Sequence, residues 1–283
     1  MTATPSMPRL LVGTALRRYR ELLGYALEEP ARVLECHRSK ISQIETGQRG
    51  IRPKELRELL TDYGVSESEQ AALAIIASPL GRRRGWWEEY ADIIPASYQD
   101  YLSVEAIASE ILVYDAQRVP DLLRIEDYAR AAADASPGTL EPGMLDRLSQ
   151  MCADRQQVII GDRCTSLSVV IGEGALRQVI GGPGVMRAQL RRLAEVSDAC
   201  PWVTVQVLPF EGGAHYDGGC ARMTILRFTQ VPSLGVVHLP GLKGGHCLTG
   251  PADVAGHVRA FSQLQVSALS PGKSARMLLE MAS

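Results

Sequence analysis

No apolar run in the chain approaches the ~20 residues of a membrane-spanning helix, and neither end carries a targeting segment. A cytoplasmic protein without a membrane partner is the expectation. The six cysteines, Cys36, Cys152, Cys164, Cys200, Cys220 and Cys247, never form a short-spaced pair, which argues against a zinc cluster or a disulfide scaffold. Free thiols and no metal are expected. A phosphate loop is lacking too: Gly181-Gly182-Pro183-Gly184 has no Gly-Lys-Ser/Thr ending, so it reads as a turn opening a helix, and no cofactor is expected. Aromatics are only 5% of the 283 residues, while 46% hydrophobic content over that length suits two domains. The net charge of −2 leaves no bulk excess of either sign. It conceals an asymmetry, because residues 1–85 carry 14 Lys and Arg against 10 Asp and Glu, and the remaining residues carry 16 against 22. A basic head on an acidic body suits a nucleic-acid-binding module joined to something else.

Within the head, Leu16, Leu22, Leu23, Val33, Leu34, Ile41, Ile44, Leu56, Leu59 and Leu60 recur at helical spacing in segments too short to be stable alone. The spacing predicts a helix over about 12–23 stopped at Gly24, a second over about 27–34, a turn at Glu35, Cys36 and His37, and a third over 38–45 ending before Gly47. The third helix would expose Arg38, Ser39, Lys40, Ser42 and Gln43 opposite Ile41 and Ile44. Such a set suits a major groove, where Arg bonds guanine, Gln bonds adenine and Ser serves either a base edge or a phosphate. Lys40, Arg49 and Arg52 are expected to grip phosphates without choosing a sequence. The implied partner is a double-stranded DNA operator; a merely polar surface helix is the bland alternative. Ser66 with Glu69 makes a capping box for a fifth helix, and the run 78–85, with Arg82, Arg83 and Arg84, reads as a linker.

The words RSKISQIETG make this segment resemble the Xre family of helix-turn-helix regulators, whose third helix reads Arg-Ser-Lys-Ile-Ser-Arg-Ile-Glu and closes on Gly. Departures from the family fall in the second helix, where Ala26 and Leu27 replace a capping Ser and a phosphate-contacting Gln, and Pro30 replaces a core Leu. Proline inside a helix costs roughly 3 kcal/mol but is tolerated in the first turn, so the fold survives if the helix restarts at Glu29. His37 replaces the Ser or Thr that caps the third helix, an expected loss of about 1 kcal/mol.

From Trp86 onward helices and strands mix. The pattern predicts helices over 99–109, 126–133, 144–160 and 185–199, strands over 111–114, 167–171, 203–208, 223–228 and 235–239, and closing helices over 253–269 and 271–282. The fold class expected is α+β: a helix-turn-helix bundle over 1–78, a linker and junction over 79–98, and a mixed α/β domain with a small sheet over 99–283. Trp86, Trp87, Tyr90, Tyr98 and Tyr101 are read as sealing a domain junction or a dimer contact. The segments VYDAQRVPDLLRIEDYARA, GEGALRQVIGGPGVMRAQLRRLAEV and VTVQVLPFEGGAH are similar to the C-terminal domain of actinobacterial regulators of the antitoxin type, which fuse it to an Xre-type head. That resemblance implies a domain that senses a small molecule or holds a short partner protein. Here too the chain departs: Arg124 and Ile125 stand for a Gln-Thr pair, and the block 239–249 lacks three acidic positions.

The remaining chemistry-bearing residues are His215, Tyr216, Asp217, Cys220, His238, Lys243, His246 and Cys247. His215, His238, His246 and Cys247 are the catalytic candidates, since histidine titrates near neutral pH and a thiolate is a nucleophile if a base activates it. His215, Tyr216, Asp217, Lys243 and His246 are the ligand-binding candidates. Neighbours on a strand point to opposite faces, so His246 and Cys247 are not expected to form a dyad. His215, His238 and His246 lack diagnostic metal spacing. Two readings follow: a homodimeric DNA-binding transcriptional regulator with an effector- or partner-binding domain, and a biosynthetic enzyme or metabolite-binding protein of secondary metabolism, derived from a regulator that has lost DNA recognition.

Overall fold

The computed structural model describes residues 5–78, 85–135, 143–162, 165–213, 219–241 and 245–283. The head is all helical: α1 (Met7–Leu22), α2 (Glu28–Val33), α3 (Arg38–Glu45), α4 (Pro53–Asp62) and α5 (Glu67–Ala77). The first helix begins five residues before the apolar periodicity does. Pro8 stands in its first turn, where the missing N–H has no partner to lose. Gly24 closes α1 at φ +68°, with the Tyr25 N–H donating to the Arg20 carbonyl, so the expected stop holds.

The body is a mixed α/β layer structure, and the whole chain is α+β as expected. A 3-10 turn (Trp86–Tyr90) leads to α6 (Ala96–Glu105) and β1 (Glu110–Asp115). Then come α7 (Glu126–Asp134), α8 (Met144–Gln156), β2 (Ser166–Gly172), α9 (Glu173–Arg177), α10 (Pro183–Ala199) and β3 (Val203–Leu208). The chain finishes with β4 (Arg222–Arg227), β5 (Gly235–Leu239), β6 (His246–Leu248), α11 (Pro251–Ser267) and α12 (Pro271–Met281). Two elements, α9 and β6, escape the periodicity because five and three residues are too few to express one. The helix expected to reach residue 160 instead passes into a π turn over Gln157–Asp162. The linker arginines 82–84 lie outside the described residues.

The six strands form one sheet in the order β3-β2-β1-β4-β5-β6. β1 pairs parallel to β2 and β2 parallel to β3, each through helical crossovers, while β4, β5 and β6 add antiparallel. Helices cover both faces, and the central strands accordingly read as nearly continuous apolar runs. Ile111, Val113, Val169 and Val205 face one core, shared with Leu190 and Leu193 of α10 and Leu278 of α12. Leu112, Tyr114, Val170 and Ile225 face the other, against Phe261 and Leu264 of α11. The first core runs on without a break into Leu11, Leu16 and Ile44 of the head. Trp87 and Tyr90 are buried where head and body meet, and the Tyr90 hydroxyl donates to Asp154 Oδ2 of α8 at 2.6 Å. The aromatic cluster thus packs the junction onto the body.

Candidate nucleic-acid interface and a charged cavity

Helix α3 is set by the helices behind it. Ile41, Ile44 and Glu45 are buried, which turns Ser39, Ser42 and Gln43 outward. Gly13 of α1 lets the two helices touch backbone to backbone. A Cβ there would lie 2.6 Å from the Glu45 carbonyl oxygen, and no side-chain adjustment can relieve a clash with backbone. Alongside that contact, Arg20 and Glu45 form a buried two-pronged ion pair, Nε to Oε1 at 2.6 Å and Nη2 to Oε2 at 2.9 Å, while Arg20 Nη1 also donates to the Tyr25 carbonyl at 2.8 Å. The geometry satisfies both charges, which is what makes a buried pair tolerable.

Two of the four departures in the head's sequence, Pro30 and His37, have local compensations. Pro30 occupies the first turn of α2, which starts at Glu28 and not at Glu29, so no intrahelical hydrogen bond is lost and the ring is buried as a core group. His37 does cap α3: its Nδ1 accepts the Ser39 N–H at 3.3 Å, and Ser39 Oγ lies 2.9 Å from the same nitrogen. The expected loss of a cap is overturned, because an imidazole nitrogen can take the place of a hydroxyl oxygen.

Of the predicted DNA contacts, Gln43 is exposed and Ser42 half-buried, on the outward face. Ser39 is divided between that face and the cap. Arg38 is exposed but leans on Glu28, Nη1 to Oε1 at 2.9 Å. Lys40 is turned aside to α4, where its Nζ meets Glu55 Oε1 at 2.6 Å and both side chains are largely buried. Burial alone would raise the Glu55 carboxyl; the Lys40 hydrogen bond, the Arg52 N–H and the two positive charges outweigh it and hold it below its ordinary value. Arg52 is exposed at the start of α4. Arg49 is exposed too and lines a cavity of about 180 Å³ with Ser103 and Ile107, between the α3–α4 loop and the body. Sequence reasoning missed Arg20 and Glu45. A signal existed: Arg20 lies four residues beyond Leu16 and Glu45 four beyond Ile41, charges on otherwise apolar stripes.

The body's candidates are described only in part. His215, Tyr216, Asp217 and Lys243 lie outside the described residues. His246 is exposed on the edge strand β6, and Cys247 points to the other face, as strand alternation requires. Cys247 is paired in register with His238 of β5. Burial, with a small contribution from Asp100, pushes the Cys247 thiol up to about 11, which favours the neutral thiol over the thiolate at neutral pH. His238 is buried, its ring 4.4 Å from that of Tyr101 and 6.2 Å from that of Tyr98. Among the described residues no group of His, Cys, Asp and Glu has the geometry to hold a metal ion.

The body's charge is concentrated elsewhere, in a network the sequence did not reveal. Arg155 of α8 clasps Glu105 of α6 with two bonds of 2.6 Å, and its third nitrogen reaches the Tyr98 hydroxyl at 3.0 Å. Asp121 lies among three guanidiniums: Arg124 at 2.6 Å, Arg222 at 3.0 Å and Arg155 at 3.5 Å. Burial would raise the Asp121 carboxyl, but these neighbours hold it far below the ordinary carboxylate range. Asp115, at the end of β1, is raised instead, since its burial outweighs Arg222 and two backbone N–H donors. Arg118, Arg124, Arg155 and Arg222 line a cavity of about 270 Å³ between α7 and α8.

A family model described as "Domain of unknown function (DUF5753)" matches residues 98–280, most of the chain and nearly all of the layered body. The chain belongs to the DUF5753 family. In front of the DUF5753 region, a model described as "Helix-turn-helix domain" matches residues 11–73, which span α1 to α4 and the start of α5. The head is thus a helix-turn-helix domain, the architecture of DNA-binding regulators. No curated protein and no solved structure matches the chain. No helix among the described residues is long and apolar enough to cross a membrane.

Proposed function

We propose that the chain is a cytoplasmic, Xre-like transcriptional regulator in which α3 enters the major groove and the DUF5753 body senses an effector. The observation that carries this reading is the outward face of α3, with Ser42 and Gln43 free of the ion pairs that orient the helix. A Gln on that face can bond adenine, Ser42 can serve a base edge, and Arg38 can exchange the solvent-exposed Glu28 for guanine or phosphate. Arg52, exposed at the start of α4, can grip backbone phosphate. A two-fold dimer would set two such helices roughly 34 Å apart on an inverted repeat. Selection from a random duplex library with the full chain, followed by footprinting of the enriched sequences, tests it. The expected result is an inverted repeat with half-sites one helical turn apart. Absence of any enriched sequence at physiological salt would overturn the reading.

A further inference from the structure

The cavity between α7 and α8 has two unlike walls. Ala129, Ala132 and Ala133 leave space beside Met151 on one side, and arginine side chains converge on the other. Among the described residues charge is not balanced there. Four guanidiniums, those of Arg118, Arg124, Arg155 and Arg222, gather around three carboxylates, those of Glu105, Asp115 and Asp121. Glu105 is fully engaged by Arg155; Asp121 is shared by Arg124 and Arg222; Asp115 opposes Arg222. Among the described residues, Arg118 is left with no carboxylate.

A second observation points the same way. Arg222 Nε and Asp115 Oδ2 approach to 3.1 Å, yet neither atom has a hydrogen-bond partner although both are buried. Buried polar atoms are ordinarily satisfied, and this misaligned contact leaves one guanidinium N–H and one carboxylate oxygen short of a hydrogen bond in a residue pair whose arginine lines the cavity. Arginine presents its donors in a planar fork that matches a carboxylate oxygen pair.

We propose that this cavity is a binding site for a small organic carboxylate. Its anionic group neutralises Arg118 and takes the donors on the arginine side, and its compact apolar body lies against the alanines of α7 and Met151. One surplus positive charge suits a monoanion, whereas a phosphate dianion would leave negative charge uncompensated in a partly buried place. The volume falls just under the ~300–1,000 Å³ of ordinary small-molecule sites, which admits a small metabolite and excludes a folded peptide segment. Serving as the effector site rests on the regulator reading above; the binding itself does not, since it is measured on the full chain without DNA.

The probes are benzoate, phenylacetate and 4-methylpentanoate, each with its primary amide, and inorganic phosphate, titrated by calorimetry and saturation-transfer NMR. At least one carboxylate is expected to saturate the protein, with its amide weaker by about tenfold or more and phosphate unable to compete, because the ionic hydrogen bonds supply the difference. Arg118→Met, which removes a charge with no partner to strand, should abolish that preference while leaving the thermal transition in place. Ala133→Leu, which fills the apolar end, should abolish binding altogether and serves as the second variant if Arg118→Met does not fold. Equal binding of acid and amide, competition by phosphate, full affinity in both variants, or no carboxylate bound at about 10 mM would each overturn the proposal.

Discussion

Head and body handle charge in opposite ways. In the head the two ion pairs with both partners largely buried each join two helices, Arg20 to Glu45 between α1 and α3 and Lys40 to Glu55 between α3 and α4, and each closes one cation on one carboxylate. In the body the pairs fuse into one buried network around Asp121, and among the described residues a guanidinium remains unmatched beside a cavity. The difference separates two jobs that the same side chains can do. Closed pairs fix the attitude of a helix whose other face is left polar, whereas an open network presents charge to something that arrives.

Breaking the central pair of each region gives the largest expected effects. Arg155→Ala would strand Glu105, only 1% exposed, and is expected to cost about 3–5 kcal/mol in urea unfolding. Arg20→Ala should cost a similar amount, with the loss of DNA binding as its added signature. If either variant unfolds like the parent, that region does not depend on its pair as described. Gly13→Ala comes next, about 1–3 kcal/mol from forced separation of α1 and α3, seen in the melting temperature and in weakened DNA binding.

Acid titration separates the regions more finely. Glu55 and Asp121 are both held below their ordinary values of 4.5 and 3.8, so each contributes stability that is complete above those values and is lost as pH falls through the lowered ones. Asp115, raised by burial, works with the opposite sign and offsets part of the loss in the body. Lys40→Met should therefore flatten the acid limb of the head's unfolding and leave that of the body unchanged. The smallest effect is a gain: Glu28→Gln frees Arg38 and removes a negative charge near the groove, and should tighten DNA binding by about two- to fivefold at low salt. No change in affinity would mean that Arg38 takes no part.

The legible parts of the molecule are those with enough residues to show a period. Helix α3, strand β3 and the long α10 could all be read from spacing, and Pro30 could be read as harmless once placed in a first turn. The cap on α3 was misread because an imidazole stood where a hydroxyl is usual. The arginine network was invisible for a different reason. Glu105, Asp115, Asp121, Arg124, Arg155 and Arg222 are up to 117 positions apart, and only the parallel crossover from β1 to β2 and the return of β4 beside β1 bring them together. Of the histidine and cysteine candidates, Cys247 is a half-buried thiol and His238 is packed against tyrosines, placements that residue type alone does not show.

The central claim is that the outward face of α3 reads bases while residues around it hold the backbone. Affinity for the selected duplex and for single-base variants of it, measured against salt for the parent and for Gln43→Ala, tests this directly. The parent is expected to distinguish one base pair by about 1–3 kcal/mol, and Gln43→Ala to lose this discrimination with an unchanged salt slope. Discrimination that survives Gln43→Ala, or a salt slope that disappears with it, would contradict the account.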